Sequence, residues 1–125
     1  MEGSKVFTID TAVEGGRLPV PADIRTASKG LERPVIVVCP GFLGYRRWGF
    51  FPYVSERLAG AGFHVVTISF SHSGTDDGTG RIERPDQFAA NSVSAEIEDL
   101  ERVLRWTLSP GFPLPASEER GLLGH

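Results

Sequence analysis

A glycine-rich loop with the sequence CPGFLGYRRWG follows the most apolar stretch of the chain and holds the first residues suited to catalysis. In this loop, Gly41 and Gly44 flank Phe42 and Leu43 at the exit from a predicted strand. Glycines allow the backbone to turn tightly and to point its N–H groups into a pocket. Such N–H groups can stabilise a developing oxyanion without any side chain. An ordinary strand-to-helix turn is the alternative, and the loop by itself leaves both interpretations open.

Two other sites suggest a nucleophile, and each has a simpler interpretation. Ser71, His72 and Ser73 could form a local nucleophile–base pair, but adjacent residues rarely present both groups to one substrate, and no third group to orient the base is evident. We interpret them as a polar loop beside the pocket. Cys39 ends an apolar strand and does not begin a helix, which would lower a thiol pKa, so we expect a small core residue.

No motif in the sequence calls for a metal or another cofactor. The histidines, His64, His72 and His125, lack ligand spacing and acidic or thiol companions, so no metal site is predicted. Neither G-x-x-x-x-G-K-[ST] nor G-x-G-x-x-G occurs, which argues against nucleotide binding. The loop residues Arg46, Arg47 and Trp48 are interpreted as a solvated surface with one packed aromatic ring, with contact to substrate as the alternative.

Composition and charge argue against several classes of partner. A net charge of −3 gives no electrostatic reason to expect nucleic acid or an anionic membrane. No apolar run approaches the length of a bilayer span, and the first ten residues lack the basic start and apolar block of a secretory signal. The single cysteine excludes an internal disulfide and fits a reducing compartment. The cytoplasm is therefore the expected location.

The hydrophobic pattern predicts an antiparallel pair of strands followed by buried strands. Residues 5–10 form a first strand, and apolar residues alternate between positions 18 and 24 in a second. Pro19 and Pro21 fall on the other parity and indicate an edge strand or a bulge. Within residues 34–41, positions 35–38 form a continuous β-branched run, typical of a strand covered on both faces in a parallel sheet, and residues 63–70 form the next buried strand.

Helical spacing recurs between these strands. One stripe lies on a predicted helix that Gly62 ends: Phe51, Val54, Leu58 and Ala61. A second helix is predicted to begin at Asn91 or Ser92. Its stripe consists of Val93, Ile97, Leu100, Leu104 and Leu108. A last strand begins in RGLLGH at Arg120, so strands and helices alternate as in a parallel α/β sheet with right-handed crossovers.

The segment PVIVVCPGFLGYRRWGFFPYVSERLAGAGFHVVTISFSHSG resembles the front half of an α/β-hydrolase, near the dienelactone-hydrolase-like and prolyl-oligopeptidase-like esterases. RGLLGH resembles the strand that enters their nucleophile elbow, G-x-S-x-G, with Gly124 and His125 flanking the nucleophile. The resemblance extends from the first strand to His125. It implies hydrolysis of an ester, amide or related acyl bond by a triad in the order Ser, acid, His, all of it beyond His125.

The resemblance also implies a role for the glycine-rich loop. Gly41 matches the glycine of the family's His-Gly oxyanion motif, so Phe42 is implied to supply one backbone N–H to the oxyanion hole. The other N–H would come from the residue after the nucleophile. Pro40 stands where many members have His, and Ser69 where many have Asp, which leaves the subfamily open.

We therefore predict an α/β protein with an incomplete α/β-hydrolase fold, in which an antiparallel edge pair precedes parallel strands with crossover helices. Residues 1–125 would form the N-terminal part of a single domain. The intact protein is expected to be a cofactor-free serine hydrolase acting on a small ester or peptide-like substrate, and this chain alone is expected to be inactive. Two alternatives stay open: a non-catalytic α/β binding module, and one chain of a two-chain hydrolase whose other chain carries the triad.

Overall fold

The computed structural model describes residues 5–76 and 78–125, which form one five-stranded sheet and its helices. Residues 1–4, on which part of the secretory-signal prediction rests, and Asp77 lie outside this part of the chain. The elements in chain order are β1 (Phe7–Val13), β2 (Val20–Thr26), β3 (Arg33–Cys39), α1 (Phe51–Gly60), β4 (His64–Ile68), α2 (Pro85–Ala90), α3 (Val93–Thr107) and β5 (Ala116–Gly124).

The strands lie in the order β1-β2-β4-β3-β5. β2 pairs antiparallel with both β1 and β4, whereas β3 pairs parallel with β4 and β5. The prediction of an antiparallel edge pair followed by parallel strands is therefore confirmed. Because β3, β4 and β5 run in the same direction, the loops that follow them lie at one edge of the sheet, where open α/β sheets bind their ligands.

β3 is covered on both faces, as its unbroken β-branched run predicts. Val35 and Val37 pack on one face in the same cluster as Val103 of α3. Val38 points to the other face and packs with Phe51 of α1. All five side chains are essentially inaccessible to water, and burial of each stabilises the fold by about 1.5–3 kcal/mol.

The buried face of α1 differs from the predicted stripe. Phe51, Ser55 and Ala59 are its buried residues, whereas Ala61 lies beyond the helix end and is exposed. Short side chains at the second and third of these positions let the helix lie close to the sheet. Gly62 has a φ of +111° and follows the helix, so the predicted stop is confirmed.

α3 begins where predicted, but its most buried residues are shifted by one position from the predicted stripe. Ser92 caps it by accepting a hydrogen bond from a backbone N–H of the first turn, which confirms one of the two predicted caps. Val103 is buried, as is Asp99, which lies outside the predicted stripe. Val93 and Ile97 of that stripe are 73% and 53% exposed. The predicted stripe was therefore wrong at Val93 and Ile97, whereas its members Leu100 and Leu104 pack against the main hydrophobic cluster.

Three other features of the fold differ from the sequence prediction. β2 lies between β1 and β4, so the edge-strand interpretation of Pro19 and Pro21 is wrong. Pairing with β4 begins only at Ala22, so Pro21 stands at the strand start, where its missing N–H costs no bond to that neighbour. β5 begins at Ala116, four residues before the predicted Arg120. The short helix α2 was not predicted.

His64 is a buried hydrogen-bonding residue at the edge of the sheet opposite to these loops. Its Nε2 lies 3.1 Å from the carbonyl oxygen of Leu31 and 2.9 Å from that of Pro115, and its Nδ1 lies 2.9 Å from Oγ1 of Thr26. Because carbonyls only accept, Nε2 carries a proton. The Thr26 hydroxyl lies within hydrogen-bond distance of both Nδ1 of His64 and the carbonyl oxygen of Ser28, to which it donates at 3.0 Å. Burial lowers the pKa of His64, and the two carbonyl contacts oppose that shift.

Candidate functional site

The loop after β3 forms a tight turn that presents Phe42. Gly44 N–H donates to the carbonyl of Gly41 at 2.9 Å, and Leu43 has a φ of +60°, a strained value for a residue with a side chain. Phe42 is 87% exposed. Within residues 5–76 and 78–125, its backbone N–H meets no hydrogen-bond acceptor. The turn therefore holds an open N–H donor at the ligand-binding edge of the sheet.

Both glycines of this turn are required sterically. A Cβ at Gly41 would overlap the backbone carbonyl of His125, and a Cβ at Gly44 would lie 2.9 Å from Cβ of Pro40. The first contact arises because Cys39 pairs with Gly124, so the ends of β3 and β5 lie side by side. No described atom lies within 4 Å of a Cβ placed on Gly124.

His125 packs in an aromatic cluster and not against acidic groups. Its ring centroid lies 4.9 Å from that of Trp48, 5.5 Å from Phe50 and 6.0 Å from Phe51. The interpretation of Trp48 as a packed aromatic is consistent with these contacts. The cluster fixes the end of β5 against the loop after β3 and the start of α1.

The two arginines of the loop are tied to a buried aspartate, so the interpretation of them as a plain solvated surface is wrong. The carboxylate of Asp23 in β2 has a side chain 1% exposed. It accepts from Arg46 Nη1 at 3.1 Å and from Arg47 Nε and Nη2 at 3.2 Å each. Arg47 also donates to Asp10 at 2.7 Å, and the Arg46 backbone N–H donates to Ser69 Oγ at 2.8 Å. These bonds anchor the loop that carries Phe42 to β2 and to the end of β4.

The charges of this anchor perturb one another. Burial raises the pKa of Asp23, the contact with Asp10 acts in the same direction, and the arginines oppose the rise. The same contact with Asp23 lowers the pKa of the exposed Asp10. The hydrogen bond to Asp23 raises the pKa of Arg47. The Asp23 carboxylate is thus buried among three guanidinium groups, with Arg46 and Arg47 at 3.1–3.2 Å and Arg25 at 3.9 Å, which offset the cost of its burial.

Sequence reasoning missed this anchor, although one signal of it exists. Asp23 and Arg25 interrupt an otherwise apolar strand, and a buried charge requires a partner.

Ser71 is not activated as a nucleophile in this structure. Its hydroxyl donates to Asp99 Oδ1 at 3.0 Å, and its N–H donates to Asp99 Oδ2 at 2.7 Å. Because a carboxylate only accepts, the Ser71 hydroxyl donates its one proton to Asp99. It therefore accepts a hydrogen bond from His72 Nδ1, which lies 2.9 Å away. The carboxylate thus contacts the serine and not the histidine, the reverse of a catalytic triad. The polar-loop interpretation is consistent with this geometry.

Cys39 has the environment of a core residue. It packs against the main hydrophobic cluster. Burial, with a smaller contribution from the Glu96 carboxylate, raises the pKa of the Cys39 thiol to about 11. A thiol of that pKa is a poor nucleophile near neutral pH, since the thiolate is the reactive form.

A cavity of about 310 Å³ adjoins Phe42. The turn forms one wall, and α2 and the start of α3 form the other. In the described part of the chain, no group of three or more His, Cys, Asp or Glu side chains is arranged to hold a metal ion. None of the helices within residues 5–76 and 78–125 has both the length and the apolar character of a membrane span.

Comparison with known proteins identifies the fold. No protein-family model matches the sequence, and no curated protein matches it. Solved structures do match. A dienelactone hydrolase from Anabaena variabilis has a TM-score of 0.70 at 15% identity over 95% of this chain and 51% of that one. Brefeldin A esterase, a bacterial homologue of human hormone-sensitive lipase, has a TM-score of 0.69 at 14% identity over 99% and 33%.

An esterase from Pyrobaculum calidifontis has a TM-score of 0.63 at 17% identity, over 94% of this chain and 34% of that one. The chain thus spans about half or less of the length of the structures it matches. The predicted likeness to dienelactone hydrolases and esterases is confirmed at the level of the fold. The five strands and their helices therefore form an incomplete α/β-hydrolase fold.

Proposed function

We propose that the chain is the N-terminal part of a single α/β-hydrolase domain whose intact form cleaves an ester, amide or related acyl bond. The observation that supports this most directly is the open N–H of Phe42 beside the end of β5. A residue following His125 would start next to Gly41, because a Cβ at Gly41 would overlap the His125 carbonyl. A nucleophile there would attack a carbonyl whose oxygen could reach the Phe42 N–H.

This arrangement assigns a catalytic role to each group. The turn holds a donor at the position where negative charge develops, and one such donor contributes about 3–4 kcal/mol to the barrier reduction. A serine after His125 would attack, a histidine and an acid further along the chain would move its proton, and the N–H after the serine would complete the oxyanion hole. No step needs a cofactor. The 125-residue chain supplies one oxyanion donor and no triad, so it does not catalyse alone.

A two-chain hydrolase is the second candidate, and the open edge of the sheet would accept a second chain as well as a continuation of the same one. β5 is the last strand, with no neighbour beyond it in the described residues. Leu122 is 57% exposed and Leu123 37% exposed. An apolar edge strand of this kind pairs readily with another chain. The partner would be a hydrolase-type polypeptide that carries the triad, and a module that only binds such a chain is the non-catalytic form of this candidate.

The proposal is tested by assaying the full-length product of the gene, including any residues encoded after His125. We expect it to hydrolyse a para-nitrophenyl ester, and the 125-residue chain to show no activity above background. Activity restored only by adding a co-purifying second chain would support the two-chain candidate. An intact protein that folds but hydrolyses no ester, thioester or amide would refute the catalytic proposal. The single cysteine, which excludes an internal disulfide, leads us to propose the cytoplasm as the location.

A further inference from the structure

The cavity beside Phe42 has the size of a small ligand site. Its volume of about 310 Å³ lies at the lower end of the range of about 300–1,000 Å³ found for small-molecule pockets. It opens next to the N–H that we assign to the oxyanion hole. A group attached to the reacting carbonyl would therefore enter it.

Four large apolar side chains contribute to the cavity wall. Phe42, Leu43, Phe70 and Phe88 line it. The rings of Phe42 and Phe88 are 6.1 Å apart between centroids and tilted by 47°, within the range in which aromatic rings attract one another. A phenyl or short alkyl group would contact these two rings from two different elements. The wall thus suits an apolar substituent.

The polar part of the wall carries one charge, and it is negative. Among the described lining residues, Glu96 is the only ionisable side chain, and no lysine, arginine or histidine lines the cavity. Asn91 Nδ2 donates to Glu96 Oε2 at 3.0 Å and holds the carboxylate at the wall. The same carboxylate contributes to the raised pKa of Cys39 at the end of β3, the strand that leads into the Phe42 turn.

We propose that this cavity binds the acyl side of the substrate and selects neutral or cationic apolar groups while rejecting carboxylates, with Glu96 as the specificity-determining residue. That the ligand is a substrate rests on the proposed function, but the binding preference itself does not require catalysis. Two carboxylates in a cavity of this size repel each other, and at the reduced dielectric of a protein surface we expect an anionic ligand to bind at least about tenfold more weakly.

Three ligands with the same phenylpropyl skeleton test this preference on the chain itself. Hydrocinnamamide is neutral, phenylpropylamine is cationic and hydrocinnamate is anionic. We expect calorimetric or ligand-observed NMR titration of the 125-residue chain to give the affinity order amine, amide, carboxylate, with the last at least about tenfold weaker than the amide. Phe88→Ala should weaken the binding of all three, because the shared phenyl group loses a wall.

Two charge-matched variants identify the responsible carboxylate. Glu96→Gln should bring the affinities of the three ligands together. Glu98→Gln removes the same charge from an exposed position on the same helix, outside the cavity, and should leave the order unchanged. Equal effects of the two variants, equal binding of carboxylate and amide, or no binding of any ligand would each overturn the proposal.

The outcome is separable from that of the proposed function. If the binding order holds and the intact protein hydrolyses no acyl bond, the cavity preference stands and the catalytic proposal fails. If the intact protein hydrolyses carboxylate-bearing and neutral aryl esters equally well, the catalytic proposal stands and the preference fails.

Discussion

Replacing Asp23 with alanine removes the acceptor on which both arginines of the Phe42 loop converge. The side chain is 1% exposed and receives hydrogen bonds at 3.1–3.2 Å from Arg46 and Arg47. The raised pKa of Asp23 indicates that its burial is costly, so the ionic cluster adds little net stability. Deleting Asp23 is nevertheless severe, because the buried guanidinium of Arg25, 3.9 Å away and 7% exposed, loses this carboxylate, and Arg46 loses a contact of 3.1 Å that is shorter than its 3.7 Å contact with Asp10. We expect a loss of about 3–5 kcal/mol in the free energy of unfolding.

The matched control is Asp10→Ala. Asp10 binds the same Arg47, but its side chain is 66% exposed, and exposed ion pairs contribute only about 0–1 kcal/mol. Urea unfolding near neutral pH, followed by circular dichroism and by tryptophan fluorescence, measures both variants. Coincident transitions from the two probes establish that unfolding is two-state. An Asp23→Ala variant within about 1 kcal/mol of the unsubstituted chain, or equal to Asp10→Ala, would refute the reasoning.

Three further predictions concern the buried His64 and the turn that carries Phe42. Because burial lowers the pKa of His64 below its ordinary 6.5, the unfolded chain binds the extra proton more readily than the folded one. The His64 contribution to stability is therefore full above pH 6.5 and is lost as pH falls towards the lowered pKa. Urea unfolding midpoints measured across this pH range should show the decline in stability. His64→Gln should make the midpoint less dependent on pH. Gly41→Ala should destabilise the chain by about 1–3 kcal/mol through overlap with a backbone carbonyl, whereas Gly124→Ala, with no described atom within 4 Å, should change it by less than about 0.5 kcal/mol in the same urea assay. In the intact enzyme, Phe42→Pro should cut turnover of an aryl ester about 100- to 1,000-fold by deleting the N–H, and Phe42→Ala should lose far less; equal losses in two folded variants would count against the backbone role.

The parallel part of the sheet and the position of the glycine-rich loop followed from local pattern. Four consecutive β-branched residues, Val35 to Val38, predicted a strand covered on both faces, and the structure covers it with α1 and α3. The glycine-rich loop was predicted at the ligand-binding edge because it follows that strand, and loops after parallel strands lie at the carboxyl ends of the sheet. Both conclusions depend on neighbours in sequence, which periodicity reports directly.

The anchor and the cavity could not be predicted because they depend on contacts distant in sequence. Asp23 reaches Arg46 across 23 positions, and only the strand order brings them together. The burial of Asp99 on α3 was not predicted because it depends on hydrogen bonds with Ser71, 28 positions earlier. The cavity needs Phe88 on the short helix α2, which no apolar stripe signals.

Covalent labelling of the intact protein with a fluorophosphonate tests the central claim most directly. The reagent attacks activated serines, and peptide mass spectrometry locates the adduct. Our account predicts one adduct, on a serine encoded directly after His125, and none on Ser71, whose hydroxyl donates to Asp99. An adduct on Ser71, or an unlabelled protein that still hydrolyses aryl esters, would contradict the account.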